Sequence, residues 1–477
     1  MTARLAQRLR ARLPGLAAGV LRLLHAVQLA RLARDAAQAR RVAARQGRPP
    51  APRVAVAACW HFPVYSQTFV QQEAAALAAS GVELRVFHQA TGPRADLAHP
   101  CRILWGRRWR LRLDRATGAL DLAQFEREAP AAVQRLLDRL AAATGLAPAD
   151  LRANERVLQA FSFARAMRAW QADYLHSYFF YEQSLFVWVA SQLLGLPRGV
   201  SCYADHLLRD DPLKAVALQL GDSAVVVATS RRIAGELLAL HGGPLPGLLV
   251  KPNAIDTRSF PPRPPAGPAR PAAATPLRLL SISRLDPKKG LEHLIEAVQR
   301  LHAQGLPLRL HLAGEADRSQ PEARAYEQAL RAQAGLLLAA GVLRFLGRCD
   351  SHRVRAELRA ADIFLAPSVE LPGGDKDGIP TAVLEAMAAG CAIVATRAGS
   401  LDEVLADGRD GLLVPQRDPA ALAAAIAALA ADPARARALG EAAAARARAA
   451  FDIAVCEAPF HAAVRAALQA QAGRARA

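Results

Sequence analysis

"FPPRPPAGPARPAAATP", residues 260–276, divides the chain in two. A run this rich in Pro, Ala and Gly carries no apolar period and reads as an extended, semi-rigid linker. Downstream of it, short apolar runs ("LRLLSIS", "LRLHLAG", "VLRFLG", "DIFLAPS", "CAIVAT", "GLLVP") alternate with helical stretches such as "GLEHLIEAVQRLHAQG", and Asp418 with Pro419 starts a further helix. Upstream, "PRVAVAAC" leads through the loop "WHFPVYSQ" into a helix beginning near Thr68, where Thr68 and Gln71 have capping-box spacing, and then into "VELRVF". This is the β-α-β opening of a parallel sheet. A charged helical stretch at about 107–170 reads as an insertion, after which "ADYLHSYF", "GVSCYA" and "SAVVVATS" resume the alternation. The expected fold class is α/β, with two doubly wound domains at 53–260 and 277–450 joined by a hinge at 261–276. Residues 1–52 precede them, and 451–477 form a C-terminal helix that packs back on the first domain. Ligands of such sheets bind outside the carboxyl ends of the strands, here in the cleft between the domains.

At 477 residues the chain is long enough for two or three domains with cores of their own. Its cysteines (Cys59, Cys101, Cys202, Cys349, Cys391 and Cys456) contain no CxxC pair, the pattern of reduced thiols in a cytosolic protein, and no structural zinc site is expected. No apolar run approaches a membrane span. The net charge of +19 raises nucleic-acid binding, but the excess is arginine in an Ala- and Leu-biased chain whose only lysines are Lys214, Lys251, Lys288, Lys289 and Lys376. No aromatic-rich strand or recognition-helix pattern accompanies it, so no nucleic-acid partner is expected. Residues 1–53 stand apart, with twelve arginines against one acid, Asp35. They read as a basic amphipathic helix interrupted near Pro14 and suited to peripheral contact with an anionic membrane. An exposed helix, a disordered arm or a transit peptide has the same composition.

The chemistry concentrates in "GGDKDGIPTAVLEAMAAGCAIVAT" (373–396). Pro380 suits the first turn of a helix and Gly390 closes it, giving a helix over about 380–389. The free amides at its start, with the dipole behind them, make a phosphate seat, and Gly378 lets a ligand approach the backbone. Glu385 lies about one turn in, roughly 6–8 Å from the helix start, where a ribose attached to seated phosphates would sit. Asp377 stands just before the helix, toward the other end of such a ligand. "SISRLDPKKG" puts Arg284 and Lys289 on the loop after the first strand of the same domain, a cation pair fit for a diphosphate. Singly, each of these is as readily a solvated charge; their joint placement points to a nucleotide. "DKD" (375–377) also allows an Asp-x-Asp metal clamp, against which stand the two cations and the late position of the dyad.

These motifs resemble those of glycosyltransferase family 4, retaining enzymes of the GT-B fold. The resemblance rests on "SRLDPKKG", "ADIFLAPS", "DGIPTAVLEAMAAG" and "CAIVATRAGSLDEVL", with "FPVYSQTFV" and "KPNAID" in the first half, and covers about 54–430. "FPxxSxTF" and "GDxxGIP" resemble the branch that builds exopolysaccharides such as colanic acid. The resemblance implies two Rossmann-like domains, the first for the acceptor and the second for a nucleotide-diphosphate sugar of UDP or GDP type, with no cofactor and no metal. Arg284 and Lys289 match the residues that bind the donor diphosphate. Glu385 matches the second glutamate of the Glu-x7-Glu motif, which holds the ribose, and Asp377 falls at the first, which contacts the donor sugar. Gly378, Ile379, Pro380 and Thr381 complete the grip.

Three positions depart from that pattern. Asp377 is one methylene shorter than the usual glutamate. Tyr203 stands where a histidine near the reacting sugar is usual, with His206 three residues on, and Ala254 replaces the glycine of "NGxD". His61, Ser66 and Thr68 on the first loop are acceptor-side candidates, and His176 at a strand end is expected to point to the cleft. The implied activity is transfer of a sugar to a saccharide or lipid-linked saccharide by a cytoplasmic protein at the inner face of the membrane. The competing readings are a nucleotide-sugar-binding partner subunit without catalysis, which Tyr203 favours, and an epimerase of similar architecture.

Overall fold

The computed structural model describes residues 14–57, 61–65, 67–203, 208–261 and 276–474. Two parallel sheets organise them, one on each side of the Pro-rich run. The first has seven strands in the spatial order Arg108–Arg110, Glu83–His88, Arg53–Ala57, Tyr174–Tyr178, Arg198–Cys202, Val225–Ala228, Leu248–Val250. The second has six, in the order Leu343–Gly347, Leu308–Ala313, Leu277–Ile282, Ile363–Ala366, Ala392–Thr396, Leu412–Val414. In each, the chain winds outward from an inner strand (Arg53–Ala57 or Leu277–Ile282) and then returns to that strand's other side. The carboxyl end of each inner strand is therefore a topological switch point, where loops diverge and leave a crevice. Arg53–Ala57, Tyr174–Tyr178, Ile363–Ala366 and Ala392–Thr396 are buried along their whole length, which is why Ile363–Ala366 and Ala392–Thr396 read as nearly continuous apolar runs rather than alternating ones.

Between the edge strand Arg108–Arg110 and Tyr174–Tyr178 the chain makes four helices, Arg115–Glu128, Pro130–Thr144, Pro148–Ala153 and Glu155–Trp170. They share a core with the basic helix Pro14–Arg45, which contributes Leu32 and Ala36, both fully buried. The described part of this helix begins at Pro14, and the interruption expected near Pro14 falls at the edge of the described residues. On its inner side Asp35 accepts from Trp170 Nε1 (2.9 Å) and pairs with Arg85 (2.9 Å). Val20, Leu23, Leu24 and Val27 share the outer face and remain exposed.

Two local expectations need correction. The helix Thr68–Ala79 starts where its spacing suggests, but no capping box forms. Gln71 instead donates to the carbonyls of Val64 (3.0 Å) and Asp96 (2.8 Å) and accepts from the Ala98 N–H (2.8 Å), because a buried amide needs these partners more than a solvated helix end needs a cap. His176 lies inside the first domain, bonded through Nε2 to Ser201 Oγ (2.9 Å) and edge-on to Phe460, and does not face the cleft. Burial lowers its pKa to about 3, so it is neutral. Phe460 belongs to the C-terminal helix Ile453–Arg474, which crosses back to pack on the first domain beside Val54, Tyr174 and Val225.

Candidate active site

Between the carboxyl ends of the two sheets lies a cleft of about 1650 Å³ lined by both domains. On the second domain its floor is the helix Thr381–Ala388, with Pro380 at the N-cap, one residue later than expected. The loop leading into that helix is gripped tightly. A Cβ on Gly378 would come within 2.8 Å of the Tyr203 carbonyl, and one on Gly399, at φ +61°, within 2.0 Å of the Asp377 carbonyl. Only glycine fits at either place. Asn253 Nδ2 donates to the Ile379 carbonyl (2.7 Å) across the domain boundary.

The cations of "DPKKG" meet the acids of "DKD" one to one. Lys289 Nζ lies 2.6 Å from Asp377 Oδ2, which also accepts from Ser368 Oγ (3.1 Å), and Lys288 Nζ lies 2.9 Å from Asp375 Oδ1. Burial works against the Asp377 charge, but Lys289, with Lys288 and Ser368, outweighs it and holds the carboxyl below its usual range. An Asp-x-Asp clamp would need both carboxylates turned on one ion; here each is turned on its own lysine. Arg284 lines the cleft partly exposed, 3.4 Å from Asp286. Glu385, one turn into the helix, faces the cleft with no such cation in contact. Burial, opposed only by Arg355, raises its pKa to about 7. Thr381 lines the cleft at the helix start.

On the first domain the cleft wall is aromatic. Phe69, Phe179, Tyr181 and Tyr203 all line it, with Phe69 and Tyr203 centroids 4.5 Å apart. Tyr203 presents its ring, but its hydroxyl turns inward and donates to Glu73. Thr68 joins the same wall, whereas His61, exposed on the short strand His61–Phe62, borders a smaller neighbouring pocket. Ser66 and His206 lie outside the described residues.

Behind Tyr203 is a cluster with no motif. Lys251 Nζ bonds Glu73 (2.6 Å) and Glu457 (2.8 Å), all three nearly fully buried. Burial alone would strip the lysine of its proton; Glu73 and Glu457 outweigh it and hold its pKa above the usual value. Burial, then the neighbouring Glu73 charge, raises the Glu457 carboxyl. The cluster joins the helix Thr68–Ala79, the end of the strand Leu248–Val250 and the C-terminal helix. One signal for it was present: in a chain whose cations are almost all arginine, a retained lysine marks a place where a compact, rotatable ammonium is needed. Asn253 lies in "KPNAID", one of the stretches that carry the family resemblance, whereas Phe179 carried no mark of its own.

The domains also touch on either side of the cleft. Glu403 of the second domain accepts from the backbone N–H groups of Arg231 (2.7 Å) and Arg232 (2.9 Å) at the start of the helix Arg231–His241. Opposite, Arg348 pairs with Asp96 and stacks 4.0 Å over the Tyr65 ring.

Residues 268–446 match the family model described as "Glycosyl transferases group 1". WcaL of Escherichia coli K12, a glycosyltransferase provisionally assigned to colanic acid biosynthesis, is 37% identical over 187 residues, 39% of this chain and 43% of that one. A phosphatidyl-myo-inositol mannosyltransferase of Mycolicibacterium smegmatis is 37% identical over 176 residues, 37% of this chain and 41% of that one. The chain thus matches less than half the length of these relatives. Among solved structures, HepE of Anabaena, crystallised with UDP, superposes over 87% of this chain and all of its own with a TM-score of 0.63 at 16% identity, a likeness of fold. That fold is GT-B.

Proposed function

Residues 268–446 are a group 1 glycosyl transferase domain, and from that premise we propose that the chain is a retaining, metal-independent glycosyltransferase of polysaccharide or glycolipid biosynthesis. Its donor is a nucleotide-diphosphate sugar and its acceptor a saccharide, free or lipid-linked. One observation carries the reading: Lys289 and Asp377 meet at the head of the helix Thr381–Ala388, and Glu385 stands one turn behind them in the same cleft. The helix amides seat the diphosphate with Arg284 and Lys289, Glu385 takes the ribose diol, and Asp377 takes a hydroxyl of the donor sugar. The glycosidic bond to the diphosphate breaks on the face where the acceptor oxygen bonds to the anomeric carbon. The acceptor's proton passes to a departing phosphate oxygen, whose charge the cations and amides stabilise. UDP is the favoured nucleotide, since HepE was crystallised with it. The exposed stripe Val20, Leu23, Leu24 and Val27, followed along the helix by Arg31 and Arg34, supports peripheral membrane contact.

A second reading, a donor-binding partner subunit without catalysis, draws on the Tyr203 hydroxyl, which turns inward to Glu73 rather than toward the cleft. Calorimetry with UDP, GDP and their sugars, in chelator, tests the first. One nucleoside diphosphate should bind without metal; binding only after Mg²⁺ or Mn²⁺ is added, or no binding, would sink it. A radiolabelled donor that binds but is neither transferred nor hydrolysed would select the second.

A further inference from the structure

Resting on the glycosyltransferase reading above, we propose that the acceptor is a neutral oligosaccharide whose second sugar residue occupies a separate pocket beyond Tyr181 in the first domain. The pocket has a volume of about 510 Å³, within the roughly 300–1,000 Å³ typical of small-molecule sites. Gln67 and Tyr181 belong both to its wall and to the wall of the large cleft, so the two spaces adjoin.

A line of rings leads from the donor seat into it. The Tyr203 carbonyl closes on Gly378, the Tyr203 ring lies 5.2 Å from that of Phe179, and Phe179 stacks 5.0 Å from Tyr181. Phe179 adopts φ +65°, a costly conformation for a bulky side chain, and its N–H is held by the Ser201 carbonyl at 2.7 Å. That strained residue places an aromatic step between the transfer point and the pocket. Sugar rings carry an apolar C–H face that rests on such steps.

Charge decides the class of ligand. Beyond Tyr181 the wall carries, among the described residues, three carboxylates, Glu182, Asp210 and Asp211, against two cations, Arg156 and Lys214. Arg156 bridges Glu182 (2.9 Å) and Asp211, and Lys214 pairs with Asp210. An anionic sugar or a phosphate would meet a net negative wall and would have to displace a carboxylate to reach either cation. A neutral polyol avoids both costs: its hydroxyls donate to the remaining carboxylate lone pairs and accept from the remaining N–H groups. Arg156 comes from the helix Glu155–Trp170, so the long helical connection of the first domain contributes to this wall beside the segments that follow the strands Tyr174–Tyr178 and Arg198–Cys202.

The test is ligand-observed NMR on the full chain with neutral gluco-, galacto- and manno-configured mono-, di- and trisaccharides, with UDP affinity measured in parallel. At least one disaccharide should bind ten-fold or more tighter than its monosaccharide. Asp211→Asn and Tyr181→Ala should each erase that gain while leaving UDP affinity unchanged and the chain folded, as followed by circular dichroism. Absence of any length dependence across the panel, or a gain that survives both variants, would overturn the subsite while UDP binding leaves the donor reading standing. A uronate-bearing disaccharide that outbinds every neutral one would overturn the charge argument. Failure of the wild type to bind either UDP or GDP would bring down the donor reading and the subsite together.

Discussion

The molecule uses the same chemical pair, a lysine with carboxylates, in two settings. Lys289 and Asp377 meet at the rim of an open cleft, where water and ligand both reach them. Lys251, Glu73 and Glu457 meet where neither does. A charge at the first place can change partners when a phosphate arrives. One at the second cannot, because the desolvation of all three groups is offset by their mutual contact and by the Tyr203 hydroxyl that donates to Glu73. The first pair is therefore suited to binding, and the second to pinning the C-terminal helix and the Tyr203 side chain behind the cleft.

Removing the lysine at each place should separate these roles most sharply. Lys251→Met leaves two buried acids facing each other, and chemical denaturation should report a loss of about 3–5 kcal/mol. Lys289→Met should shift the unfolding midpoint far less but abolish measurable diphosphate binding by calorimetry. Equal stability losses in the two variants would break the comparison.

On the binding side, Arg284→Ala and Glu385→Ala should each weaken donor affinity by about 10–100-fold, the scale of about 1.5–3 kcal/mol for a charged hydrogen bond. Both should fold normally, as followed by circular dichroism. Unchanged affinity in both would remove the nucleotide from this helix.

Acidity should sharpen the contrast further. With its pKa raised to about 7, Glu385 carries a proton below that pH, and a protonated carboxyl accepts poorly from a ribose diol. Donor affinity should therefore fall as pH drops from 8 to 6, by at most about ten-fold per unit below 7, and the slope should vanish in Glu385→Gln. For stability the sign is opposite. Held protonated by burial, Glu385 favours the folded state at low pH, and this contribution is lost as pH rises through about 7.

The smallest expected change in stability lies farthest from either cluster. Leu23→Ala with Leu24→Ala on the exposed helix face should move stability by less than about 0.5 kcal/mol. Sedimentation with anionic vesicles should nonetheless report weaker binding; unaltered binding would take the membrane away from this helix.

The second domain was far more legible than the first. Its loop and helix are contiguous or nearly so in sequence, since Asp377, Gly378 and Glu385 sit within one turn and a half of a helix and its entry, and helical geometry alone sets their spacing. Arg284 and Lys289 needed only the rule that loops at strand carboxyl ends face a crevice. The first domain's wall is assembled from the starts and ends of several elements (Phe69, Phe179, Tyr203, Asn253), and no local period records their meeting. Tyr203 shows the limit well: its place on the cleft wall was readable, but the direction of its hydroxyl was not, because Glu73 reaches it from 130 residues away.

By itself, then, the sequence determined two doubly wound domains, the helix Thr381–Ala388 at the cleft and the acids and cations around it, since each follows from periodicity, turn chemistry and spacing within a short stretch. Only the tertiary structure decided which lysine faces which carboxylate, that Lys251 is sealed between two acids, and that a second pocket opens behind Tyr181. Those outcomes depend on burial and on contacts between elements distant in the chain, where desolvation sets the energy of every charge.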